Sequence, residues 1–155
     1  MANVYTVSAG SDVLKIALSG VKGKNFPLVD IYVGGKKVVS DFNVKAGLSQ
    51  KQSDFLTLTG DFADLTDVKI VQKNDTGAER VDVQSVSLNN QAVAVGSGTY
   101  TASNGKVYAG QNKMHWNGSY TLGAAAFAPA IAAAKEEAAR QQQQAEQRAP
   151  NPGDS

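Results

Sequence analysis

Apolar and polar residues alternate with a period of two along most of the chain as far as Leu122. A short run at residues 4–7 opens the pattern. In residues 13–18, Leu14, Ile16 and Leu18 share one face, and in residues 28–33 Val29, Ile31 and Val33 point inward while Asp30 and Tyr32 point outward. Such alternation marks a strand with one buried side. Gly34-Gly35 predicts a two-residue hairpin, since glycine takes the positive φ that such turns need. The returning run has Val38, Phe42 and Val44 as its apolar positions and an irregularity near Ser40-Asp41.

Residues 54–59 place Phe55, Thr57 and Thr59 on one side and Leu56 and Leu58 on the other. Gly60-Asp61-Phe62-Ala63-Asp64-Leu65 predicts a turn with two apolar residues folded under it. Residues 68–72 form the next strand. In residues 81–88 the apolar positions slip in phase between Val83 and Val86, which predicts a β-bulge near Gln84-Ser85. Asn89-Asn90 turns the chain into residues 91–95, and residues 119–122 form the last strand. The stretch 96–118 is poor in aliphatics but holds Tyr100, Tyr108, His115 and Trp116. About nine to eleven short strands, with no helix before residue 123, predict an all-β fold, an antiparallel β-sandwich.

Composition changes at Gly123. Residues 124–139 are alanine-rich, Gln141, Gln142, Gln143 and Gln144 follow, and the chain closes on Ala149-Pro150-Asn151-Pro152-Gly153-Asp154-Ser155. Helix propensity is high from Ala130 to Gln147, but the apolar stripe is little more than Ile131 and alanines. The expected organisation is a β-sandwich domain over residues 1–122 and an Ala/Gln-rich tail over 123–155. That tail is expected to form a solitary or frayed helix, with its last residues disordered.

The 155 residues are 42% hydrophobic and only 19% charged, with 15 glycines, which favours short strands and tight turns. A net charge of +1 gives no pointer to duplex nucleic acid or to an acidic membrane surface. Cysteine is absent, which removes disulfides and thiolate zinc sites. One histidine argues against imidazole metal sites and a Ser-His-Asp triad, so any bound metal is expected to be held by oxygen, calcium first. The N-terminal residues show no secretory pattern and no run is long enough to span a membrane. The expected location is extracellular, cell-surface or on a virion by a route without a standard signal peptide, with the cytoplasm left open.

The chemistry concentrates in Lys73-Asn74-Asp75-Thr76-Gly77-Ala78-Glu79-Arg80. Carboxylates at Asp75 and Glu79, joined by a glycine-containing turn, can converge on one hard cation. The same residue types also make an ordinary turn for conformational reasons alone. Acid–base chemistry fits less well, because glycosidase carboxylates flank a cleft and these share one short loop. No glycine-rich phosphate loop precedes a helix. A non-enzyme is expected.

Several segments recur in a fixed order. Phe26-Pro27-Leu28-Val29-Asp30-Ile31-Tyr32-Val33-Gly34-Gly35 comes first, then Thr57-Leu58-Thr59-Gly60-Asp61-Phe62, then Val68-Lys69-Ile70-Val71-Gln72-Lys73-Asn74-Asp75. Glu79-Arg80-Val81-Asp82-Val83 leads to Asn89-Asn90, and His115-Trp116-Asn117-Gly118-Ser119-Tyr120 closes the set. This order resembles the calcium-dependent carbohydrate-binding modules of the xylan-binding type, families 60 and 36, from about Val13 to Leu122. The resemblance implies a jelly-roll sandwich that grips sugar at one end, with calcium leaving coordination positions for vicinal hydroxyls. It implies Asp75 and Glu79 as metal ligands, and Asn74, Arg80 and Trp116 on the carbohydrate side. The departures are an asparagine missing after Arg80, a Val33-Gly34-Gly35 turn without the family aspartate, and no cysteines.

Each residue also has a plainer reading. Trp116 can be partly core, His115 a surface residue, Asp61 a turn holder, and Arg80 a partner of Asp75 or Asp82. The expected function is non-catalytic, calcium-assisted binding of a cell-surface or cell-wall polysaccharide. The alternative is a structural or assembly protein of a virus-like particle or surface appendage, as a decoration or spike-base component, with glycan binding secondary or lost. In that reading the tail serves a homo-oligomer or a particle partner.

Overall fold

The computed structural model describes residues 3–73 and 78–148. Twelve strands precede one α-helix among these residues, with a single 3-10 turn at Val95–Ser97 between the eighth and ninth strands. The strands are β1 (Asn3–Thr6), β2 (Asp12–Val21), β3 (Leu28–Val33), β4 (Lys36–Asn43), β5 (Asp54–Gly60) and β6 (Asp67–Gln72). They continue as β7 (Arg80–Leu88), β8 (Gln91–Val93), β9 (Thr99–Ala102), β10 (Val107–Ala109), β11 (Lys113–Met114) and β12 (Gly118–Gly123), followed by α1 (Ala124–Arg148). One sheet has the order β1-β5-β2-β7-β11, with β8 also paired to β7, and the other runs β10-β9-β12-β6-β3-β4.

Alternation puts one face of every long strand into a single apolar layer. Leu14, Ile16 and Leu18 of β2, Leu56 and Leu58 of β5, and Val81, Val83, Val86 and Leu88 of β7 line it from one sheet. Val29 and Ile31, Val68 and Ile70, Tyr100, Tyr120 and Leu122 line it from the other. Phe62 and Leu65 are buried beneath their turn, as the pattern implied. The hairpin glycines stand at φ 58° and 83°, and Asn89 and Asn90 at 50° and 66°, so both turns use the left-handed conformations their residues tolerate. The expected bulge is present. Ala17 pairs with Ser85 and Leu18 with Val83, leaving Gln84 as the extra residue.

Four features differ from the sequence expectation. First, β1 runs parallel to β5, because alternation sets which face is buried and carries no information on strand direction. Second, the aliphatic-poor stretch contains β9, β10 and β11. There Tyr100, Ala102 and Met114 fill core positions, and Tyr100 and Tyr120 are wholly buried with their hydroxyls bonded to the Trp116 and Val95 carbonyls. Burial raises the Tyr120 hydroxyl far above its ordinary pKa. Third, Asp30 faces away from the apolar layer yet is only 3% exposed, since lysines close over it.

The fourth concerns the tail. The helix starts at Ala124 and is docked rather than solitary, with Phe127 and Ala130 buried and Ile131 half-buried against the sandwich. Pro129 lies inside it, where its missing N–H removes one helical hydrogen bond. From Lys135 to Gln144 the helical side chains are exposed. No helix of the described residues is long and apolar enough to cross a membrane.

A helix with so few apolar residues depends on its anchor. Phe127→Ala is expected to cost about 3 kcal/mol of stability, in the range for emptying a buried phenylalanine site. Denaturant unfolding with far-UV dichroism checks this, and helical signal should be lost ahead of the strands.

Candidate functional site

The register brings five connections to one end of the sandwich. Gln72 at the end of β6 pairs with Gly118 at the start of β12 and with Val29 near the start of β3. Val21 at the end of β2 pairs with Arg80 at the start of β7, and Met114 at the end of β11 pairs with Val81. Leu28 pairs with Asn43, Leu18 with Asp54, and Ala102 with Gly118. The strand orders of the two sheets then set the connections side by side as 44–53, 22–27, 73–79, 115–117 and 103–106. The helix leaves from the opposite end, after Gly123 pairs with Asp67.

Glu79 sits in the middle of this row and is fully buried. Its Oε2 accepts the Asn25 N–H at 3.1 Å, and its backbone carbonyl accepts Gln72 Nε2 at 3.1 Å. A Cβ on Gly23 would stand 2.7 Å from the Glu79 carboxyl, so a larger residue there would have to displace that side chain. Gln72 Oε1 is buried with no hydrogen-bond partner among the described residues. A buried carbonyl oxygen left unpaired is costly, and a hard cation is one group that would satisfy it. The donor set at the root of the 73–79 connection, a carboxylate and an amide oxygen, is of the kind calcium takes. No group of three or more acidic, imidazole or thiol side chains converges for a metal among the described residues.

The stem of the same connection is clamped by charge. Lys73 Nζ lies 3.2 Å from Asp30 Oδ1 and also bonds Asp41, while Lys37 Nζ reaches Asp30 Oδ2 at 3.4 Å. The Asp41 N–H donates to Asp30 Oδ1 at 2.8 Å, from a left-handed backbone at φ 54°. Burial alone would raise the Asp30 carboxyl, but the Asp41 amide and the two ammonium groups together hold it below the ordinary carboxylate value. The Lys73 ammonium is raised above its ordinary value by the Asp41 and Asp30 carboxylates.

Beyond Glu79 in the row stands an aromatic platform. Trp116 is 50% exposed. Its backbone is pinned by one buried side chain, because the Tyr100 hydroxyl donates to the Trp116 carbonyl at 2.7 Å and accepts its N–H at 3.1 Å. Tyr108 stacks on Tyr100 with ring centroids 5.7 Å apart, and His115 tilts against Trp116 at 5.8 Å. Trp116, Tyr108, Asn104, Lys106, Asn117 and Ser103 line an open groove of about 410 Å³. A large aromatic face beside amide and hydroxyl groups suits a sugar ring, apolar on its faces and polar at its rim.

Of the sequence candidates, Glu79, Arg80 and Trp116 fall at this end, in different states. Asn74 and Asp75 lie outside the described residues. Glu79 is at the root of the connection. Arg80 makes a bidentate pair with Asp82, at 2.7 and 2.8 Å, which is one of the pairings open from the sequence. Asp61 holds its own turn, its Oδ1 accepting the Ala63 N–H at 3.1 Å. Sequence reasoning missed Tyr108, Asn104 and Gln72. The Asn104-Gly105 turn signal and the Tyr108–Trp116 spacing were visible, but nothing in them set the strand register that brings these residues together.

Two solved structures share this architecture. The selenomethionine form of vCBM60, described as linking two families of calcium-dependent carbohydrate-binding modules by circular permutation, matches with a TM-score of 0.56 and 21% identity. That match covers 73% of this chain and 91% of the other. The chain has the fold of a calcium-dependent carbohydrate-binding module. The structure of vCBM60 in complex with galactobiose matches at 0.55 and 20% identity, over 72% of this chain and 97% of the other. No family model and no curated protein sequence matches the chain.

The Asp30 clamp carries a pH signature. A carboxyl held below its ordinary value stabilises the fold fully above the unfolded-state pKa, about 3.9, and that contribution is lost as pH falls through the folded-state value. Asp30→Asn should lower the melting temperature at neutral pH and lose less than the parent on acidification below about pH 4. Thermal unfolding across an acid pH series checks both.

Proposed function

We propose that the chain is a non-catalytic module that binds polysaccharide at the row of connections, with calcium assisting at the 73–79 connection. One observation carries this reading: a half-exposed tryptophan, fixed by its backbone to a buried tyrosine, over an amide-lined groove at that end of the sandwich. The fold supports it, since the similar vCBM60 was solved with galactobiose. Trp116 offers a stacking face, while Asn104 and Asn117 offer donors and acceptors to hydroxyls.

Glu79 and Asp75 would hold the calcium, and Gln72 Oε1 supplies a neutral oxygen at the same root. When bound there, the ion adds positions that sugar hydroxyls can fill in place of water. Asn74 stands beside these ligands in sequence and belongs to the carbohydrate side of the proposal. Arg80 contributes through Asp82, bracing the first residues of β7 next to the site.

A polysaccharide array read with calcium and again with chelator tests the reading. Binding that chelator abolishes is the expected result, and no glycan binding in either condition overturns it. Asp75→Ala should remove a calcium-dependent rise in melting temperature, measured by scanning calorimetry. Trp116→Ala should weaken glycan binding by about tenfold, equivalent to about 1.4 kcal/mol, and leave the melting temperature close to that of the parent.

A further inference from the structure

Charge is distributed unevenly between the two ends of the sandwich. Each of the five connections at the proposed glycan end carries or adjoins exposed lysine. Lys22 and Lys24 lie in 22–27, Lys45 and Lys51 in 44–53, Lys73 begins 73–79, Lys113 sits just before 115–117, and Lys106 lies in 103–106. Apart from Lys73, none of these is in an ion pair among the described residues. The described carboxylates nearby are already engaged. Asp54 Oδ2 accepts the Lys45 and Ala46 N–H groups at 2.7 and 2.9 Å, Glu79 is buried, and Asp82 is buried against Arg80. At the other end acidic residues outnumber basic ones among the described residues: Asp12 lines a cleft with Glu136 and Glu137 of α1, and Asp61, Asp64 and Asp67 lie along the chain from the end of β5 to the start of β6, against Lys36, Lys135 and Arg140, the last paired with Glu137. The overall charge of +1 conceals this polarity.

The basic end also has a second cleft. An open space of about 420 Å³ lies between the 22–27 and 44–53 connections, lined by Lys22, Phe26, Lys45, Ser49, Gln50 and Gln52 among others. The Lys22 ammonium stands 4.9 Å from the centre of the Phe26 ring, which holds it at the cleft. The 44–53 connection is fixed to β2 by backbone bonds from Gly20 N–H to the Ala46 carbonyl and from Leu48 N–H to the Gly20 carbonyl, each at 2.9 Å. This cleft and the Trp116 groove lie on opposite sides of Lys73 and Glu79 in the row, each with lysine, an aromatic ring and amide or hydroxyl groups.

We propose that this end takes an anionic polysaccharide, carrying uronate carboxylates or sulfate esters, that runs across the row and pairs its charges with Lys22 and Lys45 on one side and Lys106 on the other. The inference rests on the glycan-binding reading above and adds the charge class of the ligand. Unpaired ammonium groups grouped on one surface attract an anionic chain and repel a cationic one. Amide and hydroxyl side chains interleaved with the lysines fit sugar hydroxyls better than they fit a bare phosphate chain.

Isothermal titration of the full chain, with calcium in excess, tests this with paired probes that differ only in charge. One pair is short oligogalacturonate, below gel-forming length, against its methyl ester; the other is dextran sulfate against dextran. The acidic member of at least one pair should bind about five- to tenfold tighter, the effect of a few exposed ion contacts. That advantage should shrink as ionic strength rises from about 0.01 M to about 1 M. Lys22→Gln with Lys45→Gln should remove much of the advantage while binding of the neutral member persists, whereas Lys36→Gln with Lys135→Gln, at the far end, should keep it. Equal binding within both pairs overturns the inference and leaves the glycan reading standing. No binding to any of the four overturns the inference, and the polysaccharide array decides the glycan reading separately. An acidic preference that survives the Lys22 and Lys45 substitutions, or equally tight binding of oligodeoxythymidylate at the same ionic strength, overturns the assignment of an anionic glycan to this cleft.

Discussion

The structure depends on one apolar layer that two sheets must share. Each long strand has a face that water disfavours, and neither sheet can bury that face alone. Closing the sandwich over Leu14, Ile16, Ile31, Ile70, Val83 and Tyr120 settles the register of β2, β3, β6, β7 and β12 together, because a slip of one residue would turn an apolar face outward. Strand ends then come level, and the chain has to cross between sheets at the same end through several short connections. The row of loops is a consequence of core packing rather than a separate construction.

Within that row, the 73–79 connection is secured at both stems by buried charge. On one side Lys73 bridges Asp30 and Asp41; on the other, Glu79 is wedged against Gly23 and bonded to Asn25. Buried carboxylates persist only when hydrogen bonds or countercharges offset their desolvation. Here the offsetting partners belong to neighbouring strands and loops, so the two stems are held by the body of the sandwich. Trp116 is treated similarly, its backbone fastened to Tyr100 while its ring stays open to solvent.

The polarity between the two ends gives these parts a common direction. The helix docks by Phe127 at the acidic end, and its side chains from Lys135 to Gln144 are exposed. The lysine-bearing connections face the other way, with the aromatic groove and the Glu79 root between them.

Much of the fold was legible in the sequence. Period-two alternation placed β2, β3, β5, β6 and β7, and Gly34-Gly35 and Asn89-Asn90 announced their turns. The phase slip at Gln84 announced its bulge. These are local signals, set by which face of a strand is apolar and which residues tolerate positive φ. The resemblance placed Glu79, Arg80 and Trp116 at one end. It could not show that Arg80 is taken by Asp82, that Asp30 is buried under two lysines, or that Tyr108 and Asn104 join Trp116. Those pairings join residues that are distant in sequence or are set by side-chain packing, and alternation is blind to strand order and direction. The amino-acid pattern determined a β-sandwich and a candidate loop; only the tertiary structure decided which charges are neutralised and, among the described residues, which lysines stand outside ion pairs, because both follow from strand order and side-chain packing.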